Sequence, residues 1–188
     1  MDNQTMMAIV IVIVVAVVMV LAAAWLMQRR RRTTALRQRF GAEYDRVLQS
    51  RGTMADAERE LQDRQRRVEA LSLRPLSHED AEAFTASWRT VQATFVDDPR
   101  RAVIDADRLI EDVMRTRGYP VDDASRRLDD LSVDHAHVID HYRAGREIVQ
   151  RHEHGDASTE DLRQAMVHFR ALFDELVAAQ RRTVRRAS

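Results

Sequence analysis

The sequence predicts an all-α protein: one N-terminal transmembrane helix followed by a cytoplasmic helical bundle of about five helices. Three observations carry that expectation. An uncharged apolar run over residues 6–27 ends abruptly in Arg29, Arg30, Arg31 and Arg32. The chain holds only 5 Gly and 3 Pro and is rich in Ala, Leu, Arg, Glu and Gln, the residues that cost least in a helix. Beyond the apolar run, large apolar side chains recur at spacings of three and four, and the alternating runs that mark strands are missing.

The first element is the apolar run. At about 1.5 Å per residue, residues 6–27 make a helix of roughly 33 Å, the thickness of a bilayer's hydrocarbon core. The run is rich in Val and Ile, which are poor helix formers in water, but in lipid only a helix satisfies every backbone group. Trp25 lies near the arginine end, where an indole sits at headgroup depth. Asp2 is the one charged residue ahead of the run, so the four arginines orient the span. Residues 1–5 are expected as an extracytoplasmic leader, and everything after Arg29 in the cytoplasm of a bacterial cell, at the inner face of the plasma membrane. A cleaved signal peptide, which would make this an exported protein, is the competing reading, with Ala22, Ala23 and Ala24 as its small residues. Against it, no positive segment precedes the run, the run exceeds the usual apolar length of about 7 to 15 residues, and the arginines follow it.

Composition narrows the rest. The 188 residues carry 30 basic and 30 acidic side chains, so no net field selects nucleic acid, and no nucleic-acid partner is expected. Every basic residue is Arg. Cysteine is absent, which excludes disulfides, thiolate metal sites and a cysteine nucleophile.

Residues 28–52 read as a basic juxtamembrane stalk, 53–179 as the helical bundle and 180–188 as a basic, frayed tail. Phe40, Val47, Met54, Leu61 and Val68 fall at seven-residue spacing, but the second column (Tyr44, Arg51, Glu58, Gln65) is too polar for a coiled coil. Gly52 divides this region, with a helix expected from about 54 to 71. Ser77 caps the next helix, with Glu79 and Asp80 in its first turn, and Phe84, Trp88, Val91 and Phe95 mark one face. Asp98 and Pro99 end that helix and start another, whose stripe is Val103, Ala106, Ile110 and Val113, stopped by Gly118 and Pro120. A short helix is expected over 122–131. A longer one over 135–154 directs Val138, Tyr142 and Val149 inward, and Gly155 ends it. Ser158 and Asp161 repeat the cap seen at Ser77 and Asp80, ahead of the stripe Leu162, Met166, Phe169, Phe173 and Leu176.

The phrases FVDDP, RGYPVDD and STEDLRQAMVH, within a stretch over about residues 39–176, resemble a family of single-pass membrane proteins from actinobacteria and other GC-rich bacteria that has no established activity. The resemblance implies a bacterial source and a membrane setting, and it carries over no catalytic residue. His135-Ala136 departs from the His-Pro expected there.

Chemistry-bearing residues cluster in two kinds. His135, His137 and His141 lie within seven positions, and His137 with His141 has the i, i+4 spacing that can chelate a divalent metal; His152 and His154 follow. The competing reading is helix-end and solvated histidines, with His168 as a half-buried structural residue. The pairs Asp97-Asp98 and Asp122-Asp123 read as caps and Asp129-Asp130 as a solvent face. Arginines cluster at 29–32, 37–39, 64–67 and 181–186, the first set matching anionic headgroups. No phosphate-binding glycine loop or nucleophile elbow occurs. The expectation is therefore a membrane-anchored adaptor or scaffold, not an enzyme, with no catalytic residue, metal site or cofactor. Its partners are the lipid bilayer along 6–27, anionic headgroups at Arg29, Arg30, Arg31 and Arg32, and a protein partner or a second copy. The rival is a metal-binding enzyme or sensor built on His135, His137 and His141.

Overall fold

Nothing in the sequence interrupts a helix between the apolar run and Gly41, and none is interrupted. The computed structural model describes the backbone of residues 3–153 and 158–186; of these, the side chains of residues 3–6, 8–12, 14, 15, 152, 153 and 179–186 lie outside the described set. The first helix, α1 (Asn3–Phe40), runs unbroken through the four arginines. Gly41, at φ 52, turns the chain into α2 (Ala42–Arg51), and Gly52, at φ 76, caps α2 in the left-handed conformation that glycine adopts without strain. Thr53 then caps α3 (Met54–Glu69), accepting the Asp56 N–H at 3.1 Å.

α2 and α3 form a helical hairpin that packs on the end of α1. Leu36, Phe40, Tyr44 and Val47 are buried with Ala57, Leu61, Val68 and Val133 in a small core of their own. The segment read as a stalk is thus a packed layer, because four of its side chains find apolar partners on α3. The seven-residue column contributes Phe40, Val47, Leu61 and Val68 to this core, whereas Met54 at the hairpin tip is 41% exposed. Tyr44, assigned above to the poor second column, is fully buried.

The larger core is built by α4 (His78–Asp97), α5 (Pro99–Arg117), α7 (Ala136–Glu153) and α8 (Thr159–Arg186). α4 packs on α5, α5 on α8 and α8 on α7. The start signals are as expected: Ser77 and Asp80 form a reciprocal capping box, Asp98 caps α5 with Pro99 in its first turn, and Ser158 and Asp161 exchange hydrogen bonds ahead of α8. Val103, Ala106, Ile110 and Val113 are sealed, as are Leu162, Phe169, Phe173 and Leu176. Trp88 stacks on Phe173 with ring centroids 4.7 Å apart. Phe84 and Phe95 are only half-buried against this core. On α7, Ile139 and Ile148 join Val138 and Tyr142 inside, and Val149 is half-buried.

Gly118, at φ 94, closes α5, and a Cβ there would stand 2.9 Å from the Ser72 carbonyl oxygen, because the linker between α3 and α4 crosses this helix end. α7 meets α8 still more closely. A Cβ on Gly145 would lie 2.6 Å from Cε1 of Phe169, so this glycine lets the two helices touch. The short α6 (Ala124–Asp134) joins the two cores, with Leu131 in the larger and Val133 in the smaller.

The described residues thus form eight helices, six of them after the stalk region instead of about five, since α6 and α3 both stand as full elements. α8 continues in backbone to Arg186, past the expected start of a frayed tail: no Gly or Pro intervenes, and arginines suit the last turn of a helix. Gly155, the expected stop of α7, lies outside the described residues. Among the described residues no helix is long and apolar enough to cross a membrane; the side chains of the apolar run are described without interruption over residues 16–27. Within it Val17, Val18, Met19, Val20, Leu21, Trp25, Leu26 and Met27 are each 51–67% exposed.

Candidate functional site

The histidines do not converge. His135 caps the end of α6 and is 4% exposed, with neither ring nitrogen hydrogen-bonded. Its Nδ1 lies 3.5 Å from Oε1 of Glu175. Burial, with Arg117 beside it, holds its pKa below the ordinary value against the pull of Glu175 and Asp134, so the neutral ring is favoured. The Tyr119 ring stands 6.5 Å away, and burial pushes its hydroxyl up to about 12. His137 is exposed, with Nε2 3.6 Å from Oε2 of Glu175. His141 pairs instead across the helix interface, its Nδ1 3.1 Å from Nδ1 of His168, whose pKa is lowered by burial and by His141. The i, i+4 pair is thereby divided between two partners on α8. No set of three or more His, Asp or Glu side chains able to hold a metal ion occurs among the described residues. The side chains of His152 and His154 lie outside them.

The acidic pairs separate by role. Asp98 Oδ1 accepts the Arg101 N–H at 3.0 Å, and Asp123 Oδ1 accepts those of Ser125 and Arg126 at 2.8 and 3.1 Å, which lowers the Asp123 pKa. Asp129 and Asp130, expected on a solvent face, are instead turned toward α3, because α6 packs there. Asp129 meets Nη2 of Arg64 at 2.8 Å, and Asp130, 2% exposed, meets Nε of Arg67 at 3.4 Å. Burial raises both carboxyls, with Arg64 and Arg67 opposing.

Arg64 belongs to a buried ionic junction whose centre is Glu43 of α2, 1% exposed. Glu43 Oε1 accepts Nη1 of Arg64 at 2.8 Å and Nη2 of Arg143 at 2.8 Å, and its Oε2 accepts Nη1 of Arg143 at 2.5 Å. Nε of Arg64 reaches Glu60 at 3.0 Å, and Nη1 of Arg143 reaches Asp140 at 3.2 Å. Four helices, α2, α3, α6 and α7, are tied there. A second network lies between α5, α6 and α7. Buried Arg127 pairs with Glu111 and donates to the Tyr142 hydroxyl at 3.3 Å and the Val121 carbonyl at 2.7 Å; Tyr142 donates to Asp107 at 2.9 Å, and Arg146 closes on Asp107 at 3.1 Å. Burial raises Asp107 against Arg146 and lifts the Tyr142 hydroxyl to about 12.

Sequence reasoning missed Glu43, Arg143, Arg127 and Asp107. A signal existed for the first: Glu43 sits between Phe40 and Val47 as Arg64 sits between Leu61 and Val68, opposite charges at the same place between buried anchors.

The arginines along α1 behave differently. Arg39 reaches the Val133 carbonyl at 3.2 Å and Asp134 at 3.1 Å, tying α1 to α6. Arg30, Arg31 and Arg32 make no ion pair among the described residues. Arg29 lies over the Trp25 ring at 5.6 Å and Arg37 over the Tyr44 ring at 4.9 Å. Leu26, Arg29, Arg30, Thr33, Thr34 and Arg37, one stripe of α1, line a groove of about 450 Å³ that Met54 of α3 closes. No carboxylate lines it. Glu58 is on the neighbouring side of α1, where it accepts hydroxyls from Thr33 at 2.6 Å and Tyr44 at 3.3 Å.

No family model matches the chain, and no curated protein or solved structure matches it either.

Proposed function

We propose that the chain is a membrane-anchored adaptor or scaffold, with residues 6–27 as a single-pass anchor and the helices after Arg32 at the cytoplasmic face of a bacterial plasma membrane. The observation that carries the reading is the course of α1. Over residues 17–27 it presents uncovered Val, Leu, Met and Trp side chains, and within three turns the same helix is sealed into the protein body through Leu36 and Phe40. A helix apolar on all sides is stable in water only when covered, and lipid covers it without a second protein. The sequence carries the apolar run back to Met6. The arginines that follow orient the anchor with the body inside.

The non-enzymatic part of the reading rests on where the polar groups are committed. Glu43, Asp107, Glu111, Asp129 and Asp130 each meet an arginine, which accounts for their burial without a substrate. A body joined to its anchor by an unbroken helix holds a fixed attitude to the bilayer, which suits a protein that presents a partner, or another copy of itself, at the membrane. The sequence phrases that resemble single-pass bacterial proteins point the same way.

The test is topological. A C-terminal fusion to a reporter active only in the cytoplasm should be active, and one active only outside should be silent. The reverse pattern, or release of the chain by alkaline carbonate, would overturn the reading. Proximity labelling from the same fusion then identifies the partner.

A further inference from the structure

We propose that the groove between α1 and the tip of α3 is a binding site for the phosphate of an anionic phospholipid headgroup carrying more than one negative charge. The inference rests on the anchor reading above and deepens it, from a collar of positive charge to a site with a face. The chemistry is that of Arg29, Arg30 and Arg37. They fall at positions i, i+1 and i+8 on the stripe of α1 that lines the groove of about 450 Å³, within the range of small-ligand clefts, roughly 300–1,000 Å³.

Two features distinguish this groove from a run of surface charge. First, its exposed cations have no carboxylate partner, whereas Arg64, Arg127 and Arg143 in the body are each paired with an acid. Arg29 and Arg37 are held instead against aromatic rings, Trp25 and Tyr44, which orients their guanidinium groups and leaves the N–H donors uncommitted to acids. Guanidinium donors are matched to phosphate oxygens in geometry and charge. Second, the groove is amphipathic along its length. Leu26 closes one end beside the apolar run and Met54, 41% exposed, borders it from α3. A phosphate between the arginines would set a glycerol and acyl chain against Leu26. The hydroxyls of Thr33 and Thr34 already donate, Thr33 to Glu58 at 2.6 Å and Thr34 to the Arg30 carbonyl at 3.0 Å, so the guanidinium groups do the holding. Several guanidinium groups on one stripe favour a phosphomonoester or two-phosphate headgroup over a singly charged diester.

The experiment uses the full chain in detergent, with lipid retention measured by native mass spectrometry against dioleoyl phosphatidic acid, dioleoyl phosphatidylglycerol and inorganic phosphate. Arg29→Gln/Arg30→Gln removes two of the three groove charges, and Arg31→Gln/Arg32→Gln removes the same net charge from the same stretch of α1 and leaves Arg29, Arg30 and Arg37 in the groove. The wild type should prefer phosphatidic acid to phosphatidylglycerol. The groove pair should weaken that binding about thirtyfold, at about 1 kcal/mol for each charge in contact with the phosphate, and the matched pair, which does not line the groove, by less than about twofold. Equal losses in the two pairs, or equal affinity for the two lipids, would reduce the site to a charged collar and overturn the proposal. Inorganic phosphate binding as tightly as phosphatidic acid would overturn the lipid as its source. Carbonate extraction of neutral vesicles containing the chain reads the anchor alone. Extraction with lipid selectivity intact would sink the anchor and keep the groove, and retention without selectivity would do the reverse.

Discussion

Replacing Glu43 with Ala tests the junction that joins the hairpin to the bundle. The Glu43 carboxylate is 1% exposed and accepts three hydrogen bonds of 2.5 to 2.8 Å from Arg64 and Arg143. Removing one partner of a buried pair leaves a desolvated charge and costs about 3–5 kcal/mol. Arg64, 8% exposed, keeps Glu60 at 3.0 Å and Asp129 at 2.8 Å. Arg143, 19% exposed, keeps only Asp140 at 3.2 Å and can turn partly to water. The expected loss is therefore at the low end, about 3 kcal/mol. For a protein of this size that lowers Tm by about 6–12 °C. Urea unfolding of the full chain in detergent micelles, followed by near-ultraviolet circular dichroism, reads it. Glu43→Leu/Arg143→Met should recover part of the loss, because it removes the stranded charge with its partner. A Glu43→Ala midpoint matching wild type within error would show that Glu43 is hydrated in solution and that the junction is not closed.

The remaining predictions concern the contact of α7 with α8 and the histidines His135 and His168. Gly145→Ala should destabilise by about 1–3 kcal/mol, because its Cβ would meet fully buried Phe169 at 2.6 Å and overpacking outweighs the helix-propensity gain of about 1 kcal/mol; a higher melting temperature would refute the close approach. Stability should also fall as pH drops below about 6.5. His135 and His168 have folded pKa values below the ordinary one, so the unfolded chain binds more protons there, and the contribution present above pH 6.5 is lost on acidification toward the folded values. The raised carboxyls of Asp107, Asp129 and Asp130 act with the opposite sign, nearer the carboxylate range. His135→Phe should flatten the slope between pH 7 and 5, as read from urea midpoints, and an unchanged slope would refute the assignment to His135.

Helix positions were legible because their signals are local. Ser77 with Asp80, Asp98 with Pro99, and Gly118 with Pro120 act within one turn, and they mark ends the structure keeps. The stripes of α5 and α8 were legible for the same reason: a face that repeats every 3.6 residues has one way to be buried. What the sequence hid depends on which helix meets which. Asp130 reads as solvent-facing until α6 is laid on α3, and His141 reads as the partner of His137 until α8 brings His168 across. Gly145 gives no sign in a one-dimensional pattern, since its reason is the ring of Phe169 on another helix. The candidate groove was half legible: the arginines at 29–32 stood out as a cluster, but its face needs Arg37 and Met54.

The seam between the two cores has a composition that bears on how α1 and the hairpin are held on the bundle. Val133 of α6 and the half-buried Leu71 and Leu73, which pack against both cores, are the apolar side chains at the seam, and the ties between charged groups across it are Glu43 to Arg143, Arg64 to Asp129, Arg67 to Asp130, Arg46 to Asp140 and Arg39 to Asp134. Apolar contact is non-directional and tolerates sliding, but a guanidinium facing a carboxylate has one good geometry, so an ionic seam fixes register more than it adds stability. The seam is also graded. Arg39 and Asp134 are each 39% exposed, and Arg46 and Asp140 are 54% and 45% exposed, so these pairs contribute at most about 1 kcal/mol and are screened by salt. Glu43 with Arg64 is sealed from that screening. The rim thus yields to ionic strength while the centre holds, and the hairpin on α1 remains seated on the bundle at the place where three helices share the Glu43 carboxylate and α6 joins through Asp129 and Arg64.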